Sequence, residues 1–119
     1  MPLHLKNKQV LVVGLGKSGL SAVRYLAREG ARVTVSDMKK EVDLEPGTVK
    51  EMRALGVTLE TGGHRLDTFI RAERIIVSPG VPLDLAPLAA SKKRGIPVTG
   101  EMDLATQIMN TPIVAVTGT

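Results

Sequence analysis

Short runs of aliphatic and β-branched residues alternate along this 119-residue chain with longer stretches of helical periodicity. The apolar runs are typical of buried strands. They predict six strands, at residues 10–13, 32–36, 57–59, 75–77, 96–98 and 113–116. The first and fourth runs are apolar at every position, as expected where helices cover both faces of a parallel sheet. Pro97 has no backbone N–H to donate, which predicts that the fifth strand lies at a sheet edge.

The segments between these strands carry the periodicity and the end signals of helices. In residues 18–29, Leu20, Val23 and Leu26 share one face, and Gly30 follows where a left-handed C-terminal cap belongs. Further helices are predicted at residues 48–55, 87–95 and 101–109. Strands that alternate with helices predict an α/β fold, namely a Rossmann-like, open, mostly parallel five-stranded sheet with helices on both faces.

The sixth strand does not fit this sheet, because a short connector at residues 110–112 separates it from the preceding helix. We therefore expect one Rossmann-like domain over residues 1–110. Residues 111–119 are interpreted as a linker and the first strand of a following domain, which stops in the loop that begins at Thr117, Gly118 and Thr119.

The amino-acid composition limits the classes of partner that we expect this chain to bind. The formal net charge of +4 admits an anionic ligand, but aromatic residues make up only 2% and offer few rings for stacking on single-stranded nucleic acid. The densest basic run, residues 92–94, is interpreted as a solvated helix face, so no nucleic-acid partner is expected. The absence of cysteine excludes disulfides and thiolate metal sites, and His4 and His64 have no second ligand at motif spacing. Without a signal peptide or a long apolar run, we expect a cytoplasmic chain with no membrane partner.

The strongest local motif is a G-x-G-x-x-G pattern between the first predicted strand and the first predicted helix. Gly14 permits a tight turn, Gly16 lets the backbone approach a phosphate closely, and Gly19 lets the helix pack against the strand. The N–H groups of Lys17 and Ser18 would then lie at the positive end of the helix dipole, where a diphosphate is stabilised. The alternative is a glycine-rich turn that serves packing alone.

An acid follows the second predicted strand, as dinucleotide sites require. Asp37 lies 18 residues after Gly19 and could accept hydrogen bonds from ribose hydroxyls. The motif alone favours NAD, FAD or a related dinucleotide. After the fourth strand, Ser78, Pro79 and Gly80 form either a rigid turn that faces the same diphosphate or a plain strand-ending turn.

Four segments of the chain carry a resemblance to a known family. They are VLVVGLGKSGLSAVRYLAREGARVTVSD, IIVSPGVP, GIPVTGEMDL and PIVAVTGT, in this order along the chain. Together they resemble the N-terminal domain of the Mur ligases, and within that family the ligase that adds D-glutamate. The resemblance covers essentially the whole chain.

The resemblance implies a site for the UDP part of a UDP-sugar substrate. The glycine loop would meet the diphosphate, the residues after the second strand would face the uridine, and the turn after the fourth strand would close over the nucleotide. The implied UDP-binding residues are Gly14, Gly16, Lys17, Ser18, Gly19, Asp37, Met38, Lys39, Ser78, Pro79 and Gly80. No catalytic and no metal-binding residue is assigned to this chain.

The family's reaction joins D-glutamate to UDP-N-acetylmuramoyl-L-alanine through an acyl phosphate, with ATP and Mg²⁺ as cofactors. The resemblance assigns Gly118 and Thr119 to the start of the loop that holds ATP. We expect this chain by itself to be a monomer that binds the UDP-sugar weakly, binds no cofactor and catalyses no reaction. Two alternatives remain open, a regulatory NAD-binding module and the cofactor domain of an NAD-dependent dehydrogenase.

Overall fold

The computed structural model describes residues 5–101 together with residues 103 and 104, and strands and helices alternate along them. The strands are β1 Gln9–Val13, β2 Arg32–Asp37, β3 Thr58–Thr61, β4 Arg74–Val77 and β5 Val98–Gly100. The helices are α1 Lys17–Arg28, α2 Pro46–Ala54, α3 Leu66–Arg71 and α4 Ala86–Lys93, with a short 3-10 helix at Glu41–Asp43. The chain is helical again at Glu101, Asp103 and Leu104.

All five strands are parallel, in the order β3-β2-β1-β4-β5. Strand β1 is central, and its Val12 pairs with Val35 of β2 on one side and Ile76 of β4 on the other. The chain moves outward from β1 to β3 and then returns to place β4 on the opposite side of β1. In such sheets the point of reversal, here between β1 and β4, opens a crevice at the carboxyl ends of the strands.

Two hydrophobic clusters fill the two faces of the sheet, because successive side chains of β1 point to opposite sides. Val10 and Val12 join the cluster under α1 and α2, where Val23, Leu26 and Met52 are buried. Leu11 and Val13 join the second cluster, which is covered by Phe69 of α3 and Leu88 of α4. The predicted α/β sheet with helices on both faces is confirmed.

The main differences between the predicted elements and the structure concern β5 and α3. β5 begins at Val98, two residues later than predicted, because Pro97 contributes its carbonyl to Ile75 N–H (2.9 Å) but has no N–H of its own. Its edge position is confirmed for the described sheet. Helix α3 was not predicted, since its six residues are too few to show helical periodicity. The remainder of the predicted helix at 101–109 and the predicted strand at 113–116 lie outside the described residues.

The basic run at residues 92–94 is exposed at the end of α4, as predicted. Among the residues that the structure describes, no helix combines the length and the apolar character that a bilayer span requires.

The contact between α1 and β1 depends on a glycine. Gly19 is buried in the first turns of α1, directly against the carbonyl oxygen of Gly14. A Cβ atom at Gly19 would overlap that oxygen, and it would lie 3.2 Å from Ser78 Oγ and 3.3 Å from Glu101 Oε1. Helix and strand can therefore pack this closely only when residue 19 has no side chain.

The turn after β3 connects β2 to α3 through a histidine. His64 Nδ1 lies 2.6 Å from Ser36 Oγ, and its ring meets Phe69 edge to face at a centroid distance of 5.7 Å. Partial burial lowers the pKa of His64 below its ordinary value of 6.5, and the nearby negative charge of Asp37 opposes this effect. The folded chain therefore favours the neutral imidazole.

We expect Gly19→Ala to destabilise the fold, because the overlapped atom belongs to the backbone and cannot rotate away. Overpacking of this kind costs about 1–3 kcal/mol. Urea unfolding followed by circular dichroism measures the loss. Gly16→Ala is the matched control, since its Cβ would have no protein atom within 4 Å. A Gly19→Ala chain as stable as the parent would contradict this account of the helix contact.

We expect acidification through the pKa of His64 to reduce stability. The unfolded chain takes up the proton at a higher pH than the folded chain, so the stability is complete above about pH 6.5 and decreases as pH falls below it. Urea midpoints between about pH 8 and about pH 5.5 should fall less in His64→Gln than in the parent. The lowered pKa values of Glu51 and Glu73 act only at more acidic pH. Equal slopes for both chains would show that His64 is not the group responsible.

Candidate functional site

The candidate site lies at the carboxyl ends of β1, β2 and β4, where three loops meet. These are the glycine loop at residues 14–16, the segment at 37–39 after β2, and the turn at 78–81 after β4. The sheet order places the crevice of the fold at this position. The structure thus brings together the three segments that sequence reasoning assigned to one ligand.

Gly14 makes the sharp turn at the end of β1. Its φ of 89° lies in the left-handed region that favours glycine, and its N–H donates to the carbonyl of Ser36 at 2.8 Å. A Cβ atom here would lie 3.0 Å from Val81 Cγ2 and 3.1 Å from Ser78 Cβ. The glycine loop and the 78–81 turn therefore pack against each other with no room for a side chain at residue 14.

Asp37 joins the glycine loop to the segment after β2. The residue is 8% exposed, and its Oδ2 accepts the Leu15 N–H at 2.7 Å while Oδ1 accepts the Lys39 N–H at 2.8 Å. Each oxygen keeps a second lone pair that a ribose hydroxyl could use. The position of this acid is thus defined by backbone amides before any ligand binds.

Ser78 connects the turn after β4 to the glycine loop. Its N–H donates to the Val13 carbonyl at 3.0 Å, and its hydroxyl lies 2.7 Å from the carbonyl oxygen of Gly14 and 2.6 Å from Glu101 Oε1. The hydroxyl that sequence reasoning offered to the diphosphate is engaged in these contacts within the protein. Pro79 and Gly80 are exposed next to it.

Glu101 is the site residue that sequence reasoning missed. Its segment was quoted among those that carry the family resemblance, but the acid was given no role in the site. Nothing local in the sequence reports a contact with Ser78, which lies 23 residues earlier, on another element. The contact arises because β5 pairs in parallel with β4 and so delivers Glu101 to the same end of the sheet.

The N-terminus of α1 presents backbone donors at an open surface. Gly16 is the N-cap residue of α1, where it is exposed and extended. As a glycine it has no side chain with which to cap the first N–H groups of the helix. The first N–H groups of an α-helix have no partner within the helix, so those of Lys17 and Ser18 are available to a ligand. The dipole of this 12-residue helix adds positive potential at the same point. The arrangement can bind an anion through backbone alone.

A cleft of about 280 Å³ adjoins this N-terminus. Its walls combine three leucine side chains with the polar or charged side chains of Lys39, Asp43, Glu45 and Thr48, so the lining is more polar than that of most small-molecule pockets. The lining residues are Leu15, Gly16, Leu20, Lys39, Asp43, Leu44, Glu45 and Thr48. Met38, which sequence reasoning assigned to the uridine end, is 65% exposed beside Lys39.

Two other grooves, of about 320 and 380 Å³, are larger but lie away from the predicted residues. The first crosses the sheet face near Gln9, where β1 begins, and the second lies along α2 at Pro46 to Arg53. In the described part of the chain, no three His, Cys, Asp or Glu side chains are grouped to hold a metal ion. Gly118 and Thr119 lie outside the described residues.

Comparison with known proteins identifies the family. A family model described as the N-terminal domain of MurD-like Mur ligases matches residues 8–100. The UDP-N-acetylmuramoylalanine--D-glutamate ligase of Desulfosudis oleivorans is 52% identical over 118 residues, which cover 99% of this chain and 26% of that protein. This chain therefore spans about a quarter of the length of that relative.

Two solved structures share the fold. A pseudomurein peptide ligase type C from Methanothermus fervidus matches 82% of this chain and 20% of its own, with a TM-score of 0.67 and 28% identity. The UDP-N-acetylmuramate-alanine ligase of Thermotoga maritima matches 86% of this chain and 23% of its own, with a TM-score of 0.68 and 20% identity. The chain belongs to the Mur ligase family, as a MurD-like N-terminal domain.

Proposed function

We propose that residues 1–110 hold the UDP part of UDP-N-acetylmuramoyl-L-alanine for a ligase that adds D-glutamate to it in peptidoglycan synthesis. One observation carries the proposal most directly. The turn after β4 is tied to the glycine loop through Ser78 Oγ and the Gly14 carbonyl (2.7 Å), so a second loop borders the phosphate-facing backbone. The relatives that match the full length of this chain are named as this ligase.

The diphosphate would bind at the N-terminus of α1. The space beside Gly16 is open, the first N–H groups of α1 have no partner within the helix, and the helix dipole stabilises negative charge there. Pro79 and Gly80 are exposed on the adjacent loop and could close over the same group. These contacts are made by backbone, so they do not depend on the Lys17 side chain.

The uridine would occupy the cleft between the glycine loop and α2. Asp37 is held by Leu15 and Lys39 N–H at its entrance, where it can accept a ribose hydroxyl. Leu15, Leu20 and Leu44 provide apolar surface for a base. Met38 and Lys39 are exposed and would contact the ligand from the rim.

The remaining steps are proposed for parts of the ligase outside the described residues. Residues 111–119 would begin the domain that binds ATP and Mg²⁺, with Gly118 and Thr119 at the start of its phosphate loop. The proposal assigns no contact with ATP, Mg²⁺ or D-glutamate to residues 5–101. We also propose a cytoplasmic monomer with neither a nucleic-acid nor a membrane partner, and no ligase turnover by this chain alone.

Calorimetric titration of the chain separates this proposal from NAD binding, which the glycine loop and Asp37 would also permit. We expect saturable binding of UDP-N-acetylmuramoyl-L-alanine, weaker binding of UDP, and no heat with NAD, because the cleft of about 280 Å³ beside the loop offers space for one nucleoside rather than two. Saturable NAD binding without a response to either uridine nucleotide would overturn the proposal.

Gly16→Ala should weaken binding without weakening the fold. The added methyl group would project into the open space where the diphosphate approaches, and we expect the affinity to fall about tenfold, which corresponds to about 1.4 kcal/mol. Calorimetry with UDP-N-acetylmuramoyl-L-alanine measures the affinity, and urea unfolding measures the stability. Gly47→Ala in α2 is the control, because its Cβ likewise meets no atom within 4 Å. Equal affinity in Gly16→Ala and Gly47→Ala would place the phosphates elsewhere.

A further inference from the structure

Glu101 is a buried acid with an incomplete set of partners. The residue is 8% exposed, and Oε1 lies 2.6 Å from Ser78 Oγ. Its other oxygen, Oε2, is buried and, within the described part of the chain, has no hydrogen-bond partner. Buried carboxylate oxygens without partners are costly and rare in native structures. The position of Glu101 therefore calls for a reason other than stability.

The contacts of Ser78 suggest that reason. A serine hydroxyl carries one hydrogen, yet Ser78 Oγ lies within hydrogen-bond distance of two oxygens, the Gly14 carbonyl at 2.7 Å and Glu101 Oε1 at 2.6 Å. When the carboxyl group is ionised, the row of three groups formed by Glu101, Ser78 and Gly14 contains one hydrogen, that of the serine hydroxyl, for two close oxygen–oxygen contacts. A group at residue 101 that donates to Ser78 leaves the serine hydrogen free for the carbonyl of Gly14.

This row ends at the backbone of the phosphate-facing loop. Gly14 precedes Leu15 and Gly16, and Glu101 Oε1 also lies 3.3 Å from the Cβ position of Gly19 in the first turns of α1. Glu101 thus reaches the start of the loop through Ser78 and lies next to the first turns of α1. A negative carboxylate would repel a diphosphate, so direct binding of the phosphates by Glu101 is unfavourable.

We propose that Glu101 is a positioning residue for the nucleotide site, which orients the glycine loop through its contact with Ser78 rather than by contacting the ligand. The inference rests on the proposed function for its ligand. Glu101, which directly follows β5, is thereby added to a site that is otherwise defined by the glycine loop, Asp37 and the 78–80 turn. The glycine loop would then be held by β2 through Asp37 and by β4 through Ser78, with Glu101 behind Ser78.

Three variants of the full chain test this inference by calorimetry with UDP-N-acetylmuramoyl-L-alanine. Glu101→Gln keeps the shape and supplies N–H hydrogens, so its affinity should stay within about threefold of the parent. Glu101→Ala removes the contact and should weaken binding about tenfold. Asp103→Asn, which removes an exposed acid from the same helical turn, should have no effect. If Glu101→Gln binds as weakly as Glu101→Ala, the charge of the side chain is what matters. If Glu101→Ala binds as tightly as the parent, the positioning role is overturned.

A double-mutant cycle separates positioning from a general structural role. If Glu101 acts through Ser78, Glu101→Ala should cause little further loss of affinity in a Ser78→Ala chain. Additive losses would overturn the coupling. If these alanine variants fail to fold, the Gln variant and the Asp103→Asn control still give a decision.

Hydrogen exchange of the amides of residues 14–16 reports the loop without a ligand. Exchange should be faster in Glu101→Ala than in the parent and unchanged in Glu101→Gln. A parent chain that binds no uridine nucleotide would refute the proposed function, while the exchange pattern would still decide whether Glu101 orders the loop. Unchanged exchange in Glu101→Ala would overturn the positioning role.

Discussion

The approach of α1 to the carbonyl of Gly14 is the constraint on which the site depends. Gly19 can pack against that oxygen only because it lacks a Cβ, and the resulting contact directs the first turn of α1 toward the carboxyl end of β1. Gly14, with its positive φ, turns the chain quickly enough for the helix to begin at Lys17. The helix N-terminus, with its free N–H groups, therefore lies at the crevice where the strand order reverses.

Polar side chains around this crevice serve mainly to hold backbone in place. Asp37 accepts the N–H groups of Leu15 and Lys39, and Ser78 lies against the carbonyl of Gly14. What remains at the surface for a ligand is largely backbone at Gly16 and the first turn of α1. Backbone donors held in this way tolerate changes of nearby side chains, because their direction is determined by packing and by buried hydrogen bonds rather than by the exposed groups.

The features that could be predicted from the sequence are those with local signals. Aliphatic runs located the four strands at 10–13, 32–36, 57–59 and 75–77 to within two residues, and the order of strands and helices indicated the parallel sheet. Helix α3 could not be predicted, because Phe69 is its single buried residue and gives no periodicity. The shift of β5 depends on how Pro97 and Val98 pair with β4, and this pairing is tertiary information. The contact of Glu101 with Ser78 was missed for the same reason.

A glycine fingerprint determines where phosphate can bind but leaves the rest of the nucleotide open. The same loop and the same acid at Asp37 suit a dinucleotide or a uridine diphosphate, since both present a diphosphate beside a ribose. Under the proposed function, the groups that distinguish these ligands lie on other elements. The cleft wall comes from the segment between β2 and α2, and the second loop comes from β4 with Glu101 behind it. These elements meet the glycine loop only in the folded sheet, so under this proposal the choice of ligand depends on the order of the strands. The glycine loop binds the diphosphate that all such ligands share.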